Sequence, residues 1–245
     1  MKDYTIGITT FSKRIDFVST LIKQIRSYTD LDIILTINGD YKEEFKEEYR
    51  KKILKLCLLY DRVYPIFFIE QRSLSKMWNT ILIHSKTNYC LILNDDIKIN
   101  TNNIFRKITE LKDDSITITT FNNSYSHFMC DKKIIDELGY FDERLLGFGE
   151  EDGDIKYRYI EKFKELPKNV NVNGLINIVS PIRDENIKKG VGKYSKFNKD
   201  FARKKYTQDD SAEVYLWGGK KWRKNIEDLI IYPYEKFYQE NKNNL

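Results

Sequence analysis

The sequence predicts an α/β fold with a mostly parallel sheet that helices cover on both faces. Along the first hundred residues, short apolar runs alternate with helix-like segments, which is the order of strand–helix–strand units. The runs are apolar throughout and not only at every second position, as in strands that are buried on both faces. At 245 residues, 41% of them hydrophobic, the chain is long enough to form one domain around such a core.

The first elements each have their own signal. Residues 4–10 (YTIGITT) form an apolar strand pattern, and apolar residues then recur at helical spacing over 15–25. A second strand is expected over 32–38 and a third over 65–70, with a charged helix over 42–60 between them. Two strand–helix units and a third strand therefore open the chain.

The fourth strand, YCLILN at 89–94, follows a helix over 75–85. Because parallel sheets bind ligands at the carboxyl ends of their strands, the residues after this strand are the first candidates for a site. Beyond residue 100 we expect, in order, a helix, two strands and a helix, at 101–112, 115–121, 126–130 and from Asp131.

The end of the chain has a different composition. We expect residues 1–182 to form the main domain and residues 183–245 to form a basic, aromatic-rich extension of irregular structure that packs on it. Between Arg183 and Asn225, 13 lysines and arginines stand against 6 acids, whereas the whole chain carries +5. Such a segment attracts phosphate on a nucleotide, a lipid headgroup or a nucleic acid, or it is a solvated surface. Its aromatic residues are expected mostly as core, with stacking on sugars or bases as the alternative: Tyr194, Phe197, Phe201, Tyr206, Trp217 and Trp222.

The sequence shows no membrane-spanning pattern. The opening residues, MKDYTIGITTF, lack the basic segment and the apolar stretch of a secretory leader, and no run reaches the roughly 20 apolar residues that cross a bilayer. We therefore expect a cytoplasmic protein, with contact to the inner membrane face through the basic segment left open.

The fourth strand ends in acidic residues. Asn94-Asp95-Asp96 directly follows four apolar residues, and two adjacent carboxylates at the edge of a core are costly unless a cation neutralises them. Mg²⁺ or Mn²⁺, held by carboxylates and by phosphate oxygens of a substrate, suits such a site. A plain turn is the equal alternative, because Asn and Asp commonly end strands. Strand alternation predicts that Asn94 and Asp96 face one side and Asp95 the other.

A second acidic cluster favours the ligand site. Glu150, Glu151 and Asp152 stand at the start of an expected helix, where the helix dipole favours ionised carboxylates. Acidic first turns are common in ordinary helices, but Gly147 and Gly149 around an aromatic residue indicate a close approach of the backbone to a ligand.

Together these segments resemble glycosyltransferases of the GT-A fold, most closely the family-2 group. TTFSKR after the first strand, LNDDI after the fourth and GYFDE…GFGEED follow the family's order, over roughly residues 4–165. The resemblance implies a metal-dependent, inverting transferase that moves a sugar from a nucleotide donor, UDP by default. The acceptor would be a hydroxyl of a glycan or glycolipid.

The resemblance also implies a role for each matching residue. Asp96 would bind the Mn²⁺ or Mg²⁺ that bridges the donor diphosphate, and Asp95 would contact the ribose or assist the metal. Asp152 would be the general base, with Glu151 as the second catalytic candidate. The remaining candidates would contact the nucleotide sugar: Thr9, Thr10, Phe11, Arg14, Asn38, Asp40, Arg72, Lys76, Asn79, Asn94 and Gly149.

The chain departs from the family pattern at several positions. Asn94 and Asn38 stand where aspartates are usual, and Asp40 is close enough to substitute for the second. A late histidine completes the metal shell in many relatives, whereas His84 and His127 both precede the second acidic cluster. The resemblance thus implies a weakly held metal that arrives with the donor. His84 is expected to be structural, and His127 lies near the expected sugar cleft.

Three other functions stay open at this point. A sugar-nucleotide nucleotidyltransferase needs a glycine-rich phosphate loop, but ITTFSKR has no glycine after Gly7. A non-catalytic sugar- or nucleotide-binding module would not need both Asp96 and Asp152. A transferase acting on a modified nucleic-acid base would use the basic segment and would bind DNA with steep salt dependence.

Overall fold

The computed structural model describes residues 3–11, 13–39, 44–111, 118–178, 192–210, 214–216 and 220–228. The strands are β1 (Tyr4–Phe11), β2 (Ile33–Asn38), β3 (Val63–Phe67), β4 (Tyr89–Asn94), β5 (Ile97–Ile99), β6 (Ile118–Phe121), β7 (Ser124–Asp131), β8 (Lys168–Val170), β9 (Leu175–Asn177), β10 (Tyr206–Gln208), β11 (Val214–Leu216) and β12 (Lys220–Lys224). The helices are α1 (Ile15–Arg26), α2 (Glu47–Leu59), α3 (Leu74–His84), α4 (Asn103–Glu110), α5 (Lys132–Leu138), α6 (Glu151–Phe163) and α7 (Gly192–Lys205).

Seven of these strands form the main sheet, in the order β3-β2-β1-β4-β7-β6-β8. Six of the seven run in one direction, and β7 runs antiparallel to its neighbours β4 and β6. The predicted α/β fold with a mostly parallel sheet is therefore confirmed. The strand order reverses between β1 and β4, and such a reversal is where open parallel sheets bind ligands.

Apolar side chains fill the space on both faces of the main sheet. On β4, Leu91 and Leu93 face a layer that includes α1, α2 and α4. Cys90 and Ile92 face the opposite layer, which includes α3, α5 and α6. Burial on both faces explains why YCLILN is apolar without alternation.

The helices beside the central strands form where the sequence predicts them. The buried residues of α1 follow helical spacing: Val18, Leu21, Ile22 and Ile25. α3 begins after Ser73, whose hydroxyl accepts a hydrogen bond from the backbone N–H of Lys76 at 3.2 Å and caps the helix. None of the helices in the described ranges combines the length and the apolar character that crossing a bilayer requires.

β3 begins two residues earlier than predicted. The sequence predicts a strand over 65–70, with Pro65 as its first residue. Proline lacks the backbone N–H that the interior of a strand needs. In the structure β3 is the edge strand of the main sheet and pairs with β2 alone. An edge strand tolerates the missing N–H, so β3 runs from Val63 through the proline.

The described part of the extension contains regular structure where the sequence shows no clear periodicity. α7 is followed by a small antiparallel sheet of order β10-β12-β11. Tyr194 and Tyr206 are buried, and the ring centroid of Tyr206 lies 4.1 Å from that of Tyr157 on α6. These two aromatic residues therefore pack as core, whereas Trp217 lies outside the described residues.

Candidate active site

β1 and β4 are neighbours, and their carboxyl ends are joined by hydrogen bonds. Thr9 pairs with Asn94 in the strand register, and the Thr9 hydroxyl donates to Asn94 Oδ1 at 3.0 Å. The backbone N–H of Asp95 donates to the carbonyl of Thr9 at 3.1 Å. The threonine-rich end of β1 and the acidic residues after β4 thus lie side by side at the carboxyl edge of the main sheet.

Asp95 and Asp96 form a turn between β4 and β5, which we call the acidic turn. β4 ends at Asn94, so the alternation predicted through Asp96 is wrong. Side chains alternate only along extended backbone, and the extended backbone of β4 ends at Asn94, before both aspartates. Both aspartates instead approach Arg14, which forms an ion pair with Asp95 Oδ1 and lies 3.8 Å from Asp96 Oδ2.

The side chains of Asp95 and Arg14 are almost completely buried, with 1% and 5% of their residue surface exposed. The Thr10 hydroxyl donates to the second oxygen of Asp95 at 2.6 Å. Burial raises the pKa of Asp95 to about 6, and Arg14 and Thr10 offset only part of this effect. The Arg14 guanidinium also lies 4.6 Å from the ring centroid of Phe11. Asp95 is therefore engaged by protein groups at both oxygens.

The acidic turn offers few ligands to a metal ion. Within the described ranges, no three His, Cys, Asp or Glu side chains converge as a metal site. Arg14 neutralises Asp95, whereas Asp96 has the longer contact with Arg14. Mg²⁺ and Mn²⁺ are commonly held by one or two carboxylates together with phosphate oxygens. The residues thus fit a hard cation that receives its other ligands from a bound diphosphate.

Asn38, at the end of β2, hydrogen-bonds the backbone of Arg72. Its Nδ2 donates to the Arg72 carbonyl at 2.8 Å, and its Oδ1 accepts from the Arg72 N–H at 2.7 Å. The Arg72 guanidinium pairs with Glu70 at 3.1 Å. An aspartate at position 38 could accept from the N–H but could not donate to the carbonyl. Asp40, the predicted substitute for Asn38, lies outside the described residues.

Two further predicted residues, Lys76 and Asn79 on α3, contact the segment that contains GYFDE. Asn79 Nδ2 donates to the Phe141 carbonyl at 2.9 Å and to Glu143 Oε1 at 2.8 Å, and its Oδ1 accepts from the Phe141 N–H at 3.0 Å. Lys76 Nζ lies 3.5 Å from Glu143 Oε2. All these side chains are buried. Glu143 was not predicted, although it belongs to the quoted motif.

The glycine loop, residues 146–149, leads into α6. Gly147 has φ +56° and Gly149 has φ +113°, a region that favours glycine. A Cβ atom on Gly147 would meet the ring of Tyr194 on α7 at 2.6 Å, whereas a Cβ on Gly149 would meet nothing within 4 Å. The predicted close approach is therefore made to Tyr194 of the same chain at Gly147, and Gly149 has open space beside it.

The acids at the start of α6 have different environments. Glu151 is 7% exposed, and its Oε2 accepts from the backbone N–H of Gly149 at 2.5 Å. Burial raises the pKa of Glu151 to about 7. Asp152 is exposed, and its Oδ1 accepts from the N–H of Gly153 at 2.9 Å. Of these two acids, Asp152 is thus the one that a substrate can reach.

The glycine loop also joins this acidic cluster to the main sheet. The Gly147 carbonyl accepts from the backbone N–H of Leu74, the first residue of α3, at 2.7 Å. α3 begins at the carboxyl edge of the sheet, because it follows β3 in the chain. The start of α6 therefore lies at the same edge as the acidic turn.

A buried ionic cluster connects α6 with the extension. Lys205 at the end of α7 is 1% exposed, and its Nζ lies 2.8, 2.5 and 2.7 Å from carboxylate oxygens of Asp142, Asp154 and Asp228. These carboxylates outweigh burial and raise the pKa of Lys205. Arg158 binds Asp154 from the next turn of α6 at 2.8 Å. The sequence indicates only the i,i+4 spacing of this last pair, because the other partners are far apart along the chain.

The two histidines are not part of an open cleft. His127 on β7 lies opposite Leu93 of β4 and is 2% exposed, and burial lowers its pKa to about 4. His127, expected near the sugar cleft, is therefore a buried residue of the main sheet. His84 Nδ1 lies 2.9 Å from the Thr80 carbonyl within α3, which agrees with the expected structural role.

The sequence matches no protein-family model and no curated protein, but solved structures share its fold. TarS from S. aureus superposes with a TM-score of 0.51 at 14% identity, over 74% of this chain and 37% of its own. The mannosyltransferase PcManGT from Pyrobaculum calidifontis, in complex with GDP-Man and Mn²⁺, superposes with a TM-score of 0.58 at 8% identity, over 82% of this chain and 64% of its own.

A third similar structure is glucosyl-3-phosphoglycerate synthase from Mycobacterium tuberculosis, in complex with Mn²⁺, UDP and glucosyl-3-phosphoglycerate. It superposes with a TM-score of 0.57 at 10% identity, over 91% of this chain and 87% of its own. The chain spans less than two thirds of TarS and of PcManGT. The parallel sheet, its order and these superpositions agree: the chain has the fold of the GT-A glycosyltransferases.

Proposed function

We propose that the chain is a metal-dependent glycosyltransferase that moves one sugar from a nucleotide donor to a hydroxyl group. One observation carries the proposal: the bond between Gly147 and Leu74 holds the acidic start of α6 at the sheet edge that carries the acidic turn. The same edge thus has two carboxylates with different uses. Asp96 is suited to bind a metal ion that also binds a diphosphate, and the exposed Asp152 is suited to act as a general base. Solved structures with the same fold support the proposal, since one contains GDP-Man and another UDP, both with Mn²⁺.

The proposed reaction assigns each carboxylate one task. Asp96 would hold Mn²⁺ or Mg²⁺ together with the donor diphosphate, and the cation supplies Lewis-acid stabilisation of the negative charge on that leaving group. The acceptor oxygen attacks the anomeric carbon while the bond from that carbon to the diphosphate breaks. The hydroxyl proton passes to Asp152. Attack from the face opposite the leaving group inverts the anomeric configuration.

The other residues of the edge support these two tasks. Arg14 and Thr10 hold Asp95, the first residue of the acidic turn, in place. Glu151, bonded to the N–H of Gly149, holds the first turn of α6 against the glycine loop. We propose a UDP sugar as the donor and a glycan or glycolipid hydroxyl as the acceptor, as the family resemblance implies.

Thermal stabilisation by a panel of UDP and GDP sugars, with and without Mn²⁺, tests the donor without knowledge of the acceptor. We expect one donor to raise the melting temperature in the presence of Mn²⁺ and to be hydrolysed slowly. The Asp96→Asn variant should lose this stabilisation. Asp32→Asn is the matched control, because Asp32 precedes β2 at the opposite edge and pairs with Arg62.

Two outcomes would overturn the proposal. Stabilisation by a nucleotide sugar with no transfer or hydrolysis of any donor would indicate a binding module. The second outcome is thermal stabilisation by DNA that falls steeply between low and moderate salt, while nucleotide sugars without DNA give no stabilisation. It would contradict the proposed acceptor class and favour the nucleic-acid alternative.

A further inference from the structure

We propose that Asn198, on α7 of the extension, is a positioning residue that sets the conformation of the glycine loop and thereby the place of the acids on α6. The inference deepens the proposed glycosyl transfer and rests on it for its kinetic consequence. It makes the basic extension part of the proposed active site, although Asn198 itself contacts no substrate in this scheme.

Asn198 is fully buried, and its side-chain amide forms hydrogen bonds with the glycine loop. Its Nδ2 donates to the carbonyls of Leu146 at 2.8 Å and of Gly149 at 3.0 Å, and its Oδ1 accepts from the Leu146 N–H at 2.8 Å. These bonds use both donors of the amide. One side chain thus ties the first and the last residue of the loop to each other and to α7.

The glycine loop needs such an external support. Gly147, Gly149 and the following Glu150 all have positive φ, between +56° and +113°, so the loop has no regular ladder of hydrogen bonds of its own. A Cβ atom on Gly149 would meet nothing within 4 Å, which means that packing does not restrain this residue on that side. The hydrogen bond from Asn198 is therefore a direct restraint on the Gly149 carbonyl.

Gly149, the residue that Asn198 restrains, also contacts the first acid of α6, Glu151. Gly149 accepts from Asn198 through its carbonyl and donates through its N–H to Glu151. A rotation of Gly149 would therefore move Glu151 together with the first turn of α6. Asp152 is the next residue of that turn, so its carboxylate would move as well.

The same face of α7 makes two other contacts, one with the glycine loop and one with α6. Tyr194 lies one turn before Asn198 and packs against Gly147, and Lys205 lies two turns after Asn198 and pairs with Asp154 in the first turn of α6. Residues at spacings of four and seven share one face of a helix. Asn198 is thus the central member of a face that contacts the loop and the acidic helix together.

The test compares Asn198→Asp with Arg26→Ala. The aspartate keeps the shape of the side chain and the acceptor for the Leu146 N–H, but it loses both donors and places a carboxylate against two carbonyl oxygens. Arg26 is the matched control, because it also donates to backbone carbonyls, those of Thr29, Leu31, Asp61 and Arg62, at the opposite edge of the sheet. Both variants are assayed at a temperature at which circular dichroism shows them to be folded.

Hydrogen exchange of the backbone amides is the readout that does not depend on catalysis. In Asn198→Asp we expect the amides of residues 146–151 to exchange on the order of tenfold faster, with β1 and β4 unchanged. Arg26→Ala should leave residues 146–151 unchanged. Unaltered exchange in this loop, or an equal rise throughout the protein, would overturn the positioning role.

The kinetic readout separates positioning from general stability. With the donor found above, Asn198→Asp should lower kcat by about 10- to 100-fold, while the donor KM stays within about threefold. Arg26→Ala should retain both constants. An unchanged kcat would contradict the inference. If the wild type transfers no sugar, the proposed function fails, but the exchange measurement still decides whether Asn198 orders the loop.

Discussion

Arg14 and Asp95 form a buried ion pair that joins the residues after β1 to the acidic turn after β4. The two aspartates of the turn have different environments. Asp95 is held by Arg14 and Thr10, whereas Asp96 lies farther from the guanidinium. Neighbouring carboxylates of one motif therefore have different physical tasks.

Replacement of each aspartate should separate stability from metal binding. Asp95→Ala leaves the buried Arg14 guanidinium without its shorter ion pair and the Thr10 hydroxyl without its acceptor, so we expect the free energy of unfolding to fall by about 3 to 5 kcal/mol. Asp96→Asn removes the longer contact with Arg14, so we expect a smaller loss of stability, and the variant should lose the Mn²⁺-dependent stabilisation by the donor. Denaturant unfolding and thermal shift measure the two effects. Equal losses of stability in both variants would contradict this division of tasks.

Glu151→Gln should stabilise the protein more at high pH than at low pH. The pKa of Glu151 rises from 4.5 to about 7 on folding because the side chain is buried. The folded state thus binds a proton more tightly, and the wild type loses stability as pH rises from about 4.5 to about 7. Glutamine carries no charge at any pH and still accepts from the Gly149 N–H. The gain should reach on the order of 3 kcal/mol above pH 7, and a difference between the two proteins that does not vary with pH would refute the assignment.

Asn38→Asp should weaken donor binding, although aspartate is the usual residue in the family that the chain resembles. The aspartate cannot donate to the Arg72 carbonyl, so the bond at 2.8 Å is lost and a carboxylate faces a carbonyl oxygen. We expect a cost of about 1 to 3 kcal/mol in the free energy of unfolding and a larger Kd for the nucleotide, measured by calorimetry. Tighter nucleotide binding would show that position 38 contacts the base.

Asp152→Asn should remove proton transfer and retain donor binding. The side chain is exposed at the start of α6, and a positioned base contributes on the order of 10²- to 10⁴-fold to the rate. We expect kcat to fall by about this factor while Mn²⁺-dependent thermal stabilisation by the donor is unchanged. Asp131→Asn serves as a control, because Asp131 caps α5 at the opposite edge of the sheet. Near-normal transfer by Asp152→Asn would exclude it as the base.

Local sequence patterns predicted most of the first half of the fold, and α7 shows where they fail. The buried face of α7 contains Asn198 and Lys205 as well as Tyr194. Two of these positions are polar, so a search for apolar residues at helical spacing finds no helix there. Burial of these polar groups is possible because the glycine loop and three aspartates pair with them.

The position of the candidate site was predictable, because strands of a parallel sheet end at one edge and the acidic residues follow them directly. The contacts of individual side chains were not. Asn38 bonds the Arg72 backbone, and Gly147 meets Tyr194. A motif match carries the type of residue at a position but not the direction in which its side chain turns.

The sequence by itself determined the order of strands and helices, the apolar layers of the sheet and the segments that meet at its carboxyl edge. These follow from spacings of two to four residues, which decide the face that each side chain presents. The tertiary structure decided which acids are neutralised, buried or accessible. Arg14 and Asp95 lie 81 positions apart, and Lys205 and Asp154 lie 51 apart. Burial and charge pairing depend on such distant neighbours, and only the folded chain brings them together.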